Sequence, residues 1–162
     1  MFIRHPFEPI YDKYSEILIL GTIPSPKSRE NGFYYCHPQN RFWKVLAGVF
    51  QSELPVTIED KIDFLLKNKV AVWDVLASCE IEGADDNSIK APVVNDFVAL
   101  IRGSNINRIY TTGNTAYNLY EKFCYNSTGI HAIKLLSPSP ANCRCSLDDL
   151  IENYRSFLKH IF

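Results

Sequence analysis

The sequence predicts an α/β fold, a three-layer α/β/α sandwich around a central four-stranded parallel sheet, and three observations carry that prediction. Four apolar or β-branched runs of strand length recur along the chain, at 16–20 (EILIL), 70–75 (VAVWDV), 108–112 (RIYTT) and 132–136 (AIKLL). Stretches of helical period separate them, the alternation expected of a parallel sheet covered on both faces. No repeat, low-complexity tract or linker interrupts the 162 residues, so a single domain over 1–162 is expected.

Each element has a local reason. Gly21, Pro24 and Pro26 end the first strand sharply, and the prolines are expected to hold the connection after it extended. A helix is expected at 40–50, with Phe42, Val45, Leu46 and Val49 on one face, and a second at 58–68, with Ile62, Leu65 and Leu66 inward. Further helices are read at 95–102, 114–125 and 146–161, each placed beside a strand. Pro55 and Pro92 break the patterns and are read as loop residues.

Composition bounds the chemistry. With 46% hydrophobic and 22% charged residues and a formal charge of −1, the chain has the make-up of an ordinary globular domain. No run approaches the ~20 apolar residues that cross a membrane. The first residues, MFIRHPFEPIYDKY, lack the apolar core of a secretory signal, so a cytoplasmic or nucleoid-associated location is expected. The five cysteines, Cys36, Cys79, Cys124, Cys143 and Cys145, are odd in number and are expected to be reduced thiols. Only Cys143 and Cys145 lie close together, without a second pair, so no metal and no other cofactor is expected. Neither a dinucleotide glycine fingerprint nor a P-loop is present.

The most informative stretch joins the first strand to the first helix: GTIPSPKS at 21–28, then YYCHPQNRFW at 34–43. Ligands of open α/β sheets collect at such strand ends. Ser25 and Ser28, with loop amides, suit an anionic oxygen such as a phosphate. Phe33, Tyr34, Tyr35 and Phe42 offer flat apolar faces, which a nucleobase beside a phosphate needs. Lys27, Arg29, Arg41 and Lys44 outnumber the single acid Glu30, so the stretch is locally basic.

With those residues in view, the chain resembles the uracil-DNA glycosylase superfamily, and within it the hypoxanthine-DNA (deoxyinosine) glycosylase branch. Three segments carry the resemblance: the paired stretch above, 72–83 (VWDVLASCEIEG) and 136–142 (LSPSPAN). The resemblance implies a monofunctional enzyme that flips a deaminated base out of DNA and hydrolyses its N-glycosidic bond, acting as a monomer without a membrane. Mismatch-specific uracil enzymes carry a water-positioning asparagine where this chain has Ile23, so the resemblance moves the catalytic role to Asn40. It implies base contacts at Thr22, Ile23 and Tyr35, with Tyr35 stacking on the base. Implied DNA contacts are Ser25, Ser28, Gly113, Asn114, Ser137, Pro138, Ser139 and Arg144, with the proline-stiffened 137–142 loop as a minor-groove wedge. Ile81 departs from the basic residue common in this branch.

Other readings of the same residues stay open. By residue type alone Asn40 is a helix cap, and Phe42 and Trp43 are core. His37 reads as a structural hydrogen-bonding residue rather than a partner for Cys36, and His131 and His160 look unconnected. The acids Glu80, Glu82, Asp85 and Asp86 read as a solvated loop, with Asp74 hydrogen-bonded near the pocket. A uracil or G:U/T mismatch glycosylase, a non-catalytic lesion binder, and an unrelated nucleotide-binding domain are the alternative functions.

Overall fold

The computed structural model describes residues 1–158. In chain order the elements are β1 (Phe2–Arg4), β2 (Ile17–Gly21), α1 (Pro26–Asn31), α2 (Phe42–Phe50), α3 (Ile58–Lys67), β3 (Val70–Asp74), β4 (Leu76–Glu82), β5 (Asp85–Val94), α4 (Val98–Arg102), β6 (Arg108–Thr112), α5 (Asn114–Phe123), α6 (Tyr125–Thr128), β7 (Ala132–Leu135) and α7 (Leu147–Leu158). The end of the last expected helix, 159–161 with His160, lies outside the described residues.

The four expected strands form a parallel sheet in the order β3-β2-β6-β7. Because side chains alternate along a strand, β2 in the middle feeds two cores. Ile17 and Ile19 join Phe42, Leu46, Leu65, Tyr110 and Tyr154 on the face covered by α2, α3 and α7. Leu18 and Leu20 join Phe97, Leu100, Ile109, Ala116 and Tyr120 on the face covered by α4 and α5. The α/β/α sandwich is therefore the observed architecture. In register, Gly21 pairs with Asp74 and Leu20 with Thr111, while Thr112 pairs with Leu135. The carboxyl ends of the four strands thus finish side by side.

A second sheet, antiparallel and ordered β1-β4-β5, went unrecognised in the sequence. Its inward residues Ile3, Cys79 and Ile81 complete the second core. The acids expected in a solvated loop stand on or beside this hairpin. Pro92, expected in a loop, lies within β5. Edge position explains it, since an edge strand has one side that needs no N–H donor. Ser78 pairs with Val93 and Glu80 with Lys90, so β5 carries an extra residue there, and Ala91 takes φ 50° at this bulge.

The connection after β2 is also not extended throughout. Ser25 caps α1 by accepting from the Ser28 N–H, Pro26 fits the first helical turn, and Gly32 closes it at φ 82°. Six residues leave too little length for a helical period to be read. Helix α2 starts at Phe42 rather than at residue 40, because the Asn40 carboxamide oxygen takes the Phe42 N–H at 2.9 Å.

Candidate functional site

At the carboxyl ends of β2 and β3 the chain makes a cavity of about 140 Å³, lined by β2, the 22–28 turn, Tyr35, Asn40, Asp74, the β4–β5 hairpin, Thr112 and the 137–139 loop. A cavity of roughly 150 Å³ accepts a single benzene-sized ring, so this one suits one flat heterocycle with the rest of a ligand outside. Gly21 forms its floor. A Cβ there would lie 2.5 Å from Asp74 Oδ1 and 2.9 Å from the Tyr35 hydroxyl, so only glycine lets these two groups converge.

Asp74 is held from behind. Its Oδ2 lies 2.7 Å from His5 Nε2, with side chains only 5% and 4% exposed. The Phe7 N–H donates to His5 Nδ1 at 3.2 Å, so that nitrogen presents its lone pair and Nε2 carries the proton donated to Asp74. Asn95 Nδ2 donates to the Asp74 carbonyl at 2.9 Å. His5 was missed in the sequence because its pairing depends on the His5 N–H reaching the Ala77 carbonyl at 2.7 Å, a contact with no local signature.

Tyr35 sits at φ 53°, rare for an aromatic residue, and stacks on Phe42 with ring centroids 3.8 Å apart and planes 11° apart. Only its other face is left for a ligand. Its hydroxyl is 3.3 Å from Thr112 Oγ1, which lies 3.5 Å from the Leu20 carbonyl. Burial first, then the Asp74 carboxylate, push the Tyr35 phenol well above its ordinary range, so it stays protonated. Tyr34 is pushed up by the same two causes and is fully buried, donating to the Glu8 carbonyl at 2.7 Å.

Asn40 lines the cavity with its carboxamide pinned by the Phe42 N–H, so the capping geometry and the cavity position coexist in one residue. That bond takes one lone pair of Oδ1, and among the described residues nothing else occupies the group. Arg41, one of the cations that make this stretch basic, is a clamp. Its guanidinium donates to the carbonyls of Cys145, Ser139 (3.3 Å) and Asn142 (2.8 Å), and its N–H to Pro138 (3.1 Å). These bonds fasten the 137–145 loop beside Asn40. Arg29 likewise donates to the Pro24 carbonyl at 2.8 Å, and Lys27 pairs with Glu30 at 3.3 Å.

The other expected site residues divide. Thr22, Ile23, Ser25, Ser28, Ser137, Pro138 and Ser139 line the cavity. The Thr22 carbonyl already accepts from the Leu76 N–H at 3.1 Å. Ser28 is buried; its hydroxyl accepts from the Cys36 N–H and the Ser25 hydroxyl, both at 3.1 Å, and its own N–H is capped, so the amide expected to be free there is not. Ser137 and Ser139 brace their loop by accepting from the N–H groups of Ser139 and Ala141. Gly113 takes φ 91°, where a Cβ would meet Ser137 Cβ at 3.3 Å, so it abuts the cavity wall without lining it. Asn114 and Arg144 are exposed and are not among the residues that line the cavity. Ile81, 3% exposed, is an apolar wall rather than a surface position. Asp86, read as a solvated acid, is exposed and also lines the cavity. Its carboxyl is pushed up by partial desolvation first and by the neighbouring Asp85, against which a Thr115 hydrogen bond works.

His37 Nδ1 accepts from the Gln39 N–H at 3.0 Å, a local structural bond. All five cysteines are free thiols, and among the described residues no group of three or more His, Cys, Asp or Glu is placed to hold a metal ion.

The family model described as the uracil DNA glycosylase superfamily matches residues 8–159. A hypoxanthine DNA glycosylase of Methanosarcina barkeri (strain Fusaro / DSM 804) is 35% identical over 98 residues, covering 60% of this chain and 62% of the relative. One of the same name from Methanosarcina acetivorans is 34% identical over 99 residues, covering 60% and 63%. The match thus spans less than two thirds of these relatives' own length. A solution NMR structure from Methanosarcina acetivorans, described as a candidate uracil DNA glycosylase, superposes with a TM-score of 0.84 at 29% identity over 99% of both chains.

Proposed function

Because the chain belongs to the uracil DNA glycosylase superfamily, we propose that it is a DNA base-excision glycosylase that hydrolyses the N-glycosidic bond of a flipped-out deaminated base, with hypoxanthine preferred. The observation that carries this reading is Asn40: a carboxamide fixed by the Phe42 N–H on the wall of a cavity sized for one heterocycle. Cleavage builds positive charge on the deoxyribose and negative charge on the leaving base, and a water must reach C1′. The remaining lone pair of Asn40 Oδ1 orients that water by accepting its proton in a hydrogen bond, without acting as a strong base. The neighbouring DNA phosphates stabilise the cationic sugar. Tyr35 offers one ring face to the base, with its other face backed by Phe42. Among the described residues no lysine lines the cavity, which supports hydrolysis rather than Schiff-base chemistry and strand cleavage. The same reading takes the protein to be a monomer acting on DNA in the nucleoid of the cytoplasm.

The test is single-turnover release from duplexes carrying one hypoxanthine, uracil or xanthine, with Asn40→Ala alongside. Hypoxanthine release lost in the variant supports the assignment, and release unchanged in the variant removes Asn40 from it. A second reading, a lesion binder without catalysis, rests on the apolar Ile23 at the position where the resemblance places the water-positioning asparagine of mismatch-specific uracil enzymes. Tight binding of lesion duplex with no base released would favour it.

A further inference from the structure

Resting on the glycosylase reading, we propose that Asp74 is the residue that separates hypoxanthine from adenine, and uracil from cytosine, by accepting the ring N–H that deamination creates, with His5 as its positioning residue. Deamination of adenine replaces the 6-amino group by a carbonyl and turns N1 from a lone-pair acceptor into an N–H donor. Cytosine changes in the same way at N3. A wall group that only accepts hydrogen bonds therefore attracts the deaminated ring and repels the parent.

Asp74 has this character for a structural reason. His5 Nε2 donates to Oδ2, and the Phe7 N–H fills His5 Nδ1, so the imidazole cannot turn an acceptor toward the carboxylate. The unshared oxygen, Oδ1, is the one over Gly21, where the absence of a Cβ leaves it exposed to the cavity floor beside the Tyr35 hydroxyl. With the Asp74 carbonyl tied to Asn95 and both side chains of the pair almost buried, the carboxylate has little freedom to turn away. Guanine and thymine carry the same ring N–H, so Asp74 does not account for their rejection.

The His5 lock makes the consequence of substitution specific. In Asp74→Asn the amide oxygen must face the His5 Nε2–H, which leaves the NH₂ facing the cavity. The acceptor becomes a donor without change of shape. Release would be measured in single turnover from duplexes carrying hypoxanthine or purine, the latter keeping the ring and the N9 bond but presenting a lone pair at N1. Comparing the hypoxanthine-to-purine rate ratio between proteins cancels the intrinsic lability of each bond. A site built to bond a polar hydrogen rejects analogues lacking it by large factors, so the ratio is expected to fall about 100-fold or more in Asp74→Asn. His5→Ala should lower the ratio, and His5→Gln, which keeps an N–H donor, should restore most of it.

An unchanged ratio in Asp74→Asn, with both bases still released, overturns the proposal. Should that variant fail to fold, wild-type binding to non-hydrolysable 2′-fluoro duplexes decides. At least about tenfold tighter binding of hypoxanthine than of purine supports it, and equal binding overturns it. Wild-type protein that releases no base from any duplex, and binds lesion and undamaged DNA alike, instead removes the glycosylase reading itself, and the proposal with it.

Discussion

Replacing Gly21 with alanine adds one methyl group at the point where the cavity floor is tightest. The new Cβ would stand 2.5 Å from Asp74 Oδ1, against 3.4 Å for ordinary contact, so about 0.9 Å must be recovered by movement. Asp74 cannot supply it freely, because His5 and Asn95 hold its side chain and its carbonyl. Tyr35, 2.9 Å away, is confined between Phe42 and Thr112. Overpacking of this kind costs about 1–3 kcal/mol, which for a chain of this size lowers Tm by roughly 2–4 °C per kcal/mol. A displacement of about 1 Å at a reacting centre lowers the rate about 100-fold. Thermal unfolding followed by circular dichroism and single-turnover release of hypoxanthine read the two effects on the same preparation. A double-mutant cycle with Asp74→Ala should recover part of the lost stability, since it removes the atom that the methyl meets. A Gly21→Ala protein with wild-type Tm and a rate within twofold of wild type would refute the claim that the floor is rigid and closely packed.

Three further outcomes are expected. Asn40→Ala should abolish base release, with Tm lowered by no more than the loss of one capping bond, about 1 kcal/mol, read by the same melt. Arg41→Ala should release the 137–145 loop, whose carbonyls it holds, and cost about 2–4 kcal/mol; faster limited proteolysis within that loop and weaker duplex binding are the readouts. Asp86 has its carboxyl pushed up, so between the ordinary carboxylate pKa and the raised one the folded state holds more protons than the unfolded state, and stability falls as pH rises through that window. Asp86→Asn should flatten this fall, and a Tm–pH profile identical to wild type would contradict it.

What could be read from residues alone divides by the range of the interaction involved. The four parallel strands and the helices α2, α3, α5 and α7 carry their own signal, because a buried strand is a short apolar run and a surface helix shows its period locally. The start of the 21–43 stretch was legible for the same reason, since Gly21, Pro24 and the aromatic cluster follow directly on a strand. The β4–β5 hairpin was not, because Pro92 and a row of acids imitate a loop, and only pairing with β4 reveals an edge strand with a bulge. Helix α1 was hidden by its six residues and by Pro24 and Pro26, which together imitate an extended loop. Arg41 counted in the sequence only as one of the local cations, because the loop carbonyls it holds lie far downstream, Asn142 at a separation of 101.

By itself, then, the sequence determined the alternation of strands and helices, the position of the candidate site at a strand end, and the resemblance that named Asn40, for all of these rest on residues close together in the chain. Tertiary structure alone decided which groups meet. Asp74 and His5 stand 69 residues apart and become partners only when β1 pairs with β4, while Gly21 acquires its importance only once Asp74 and Tyr35 converge on it. The physical reason is that hydrogen bonds and steric contacts act over a few ångströms of space, and chain distance constrains them only within an element.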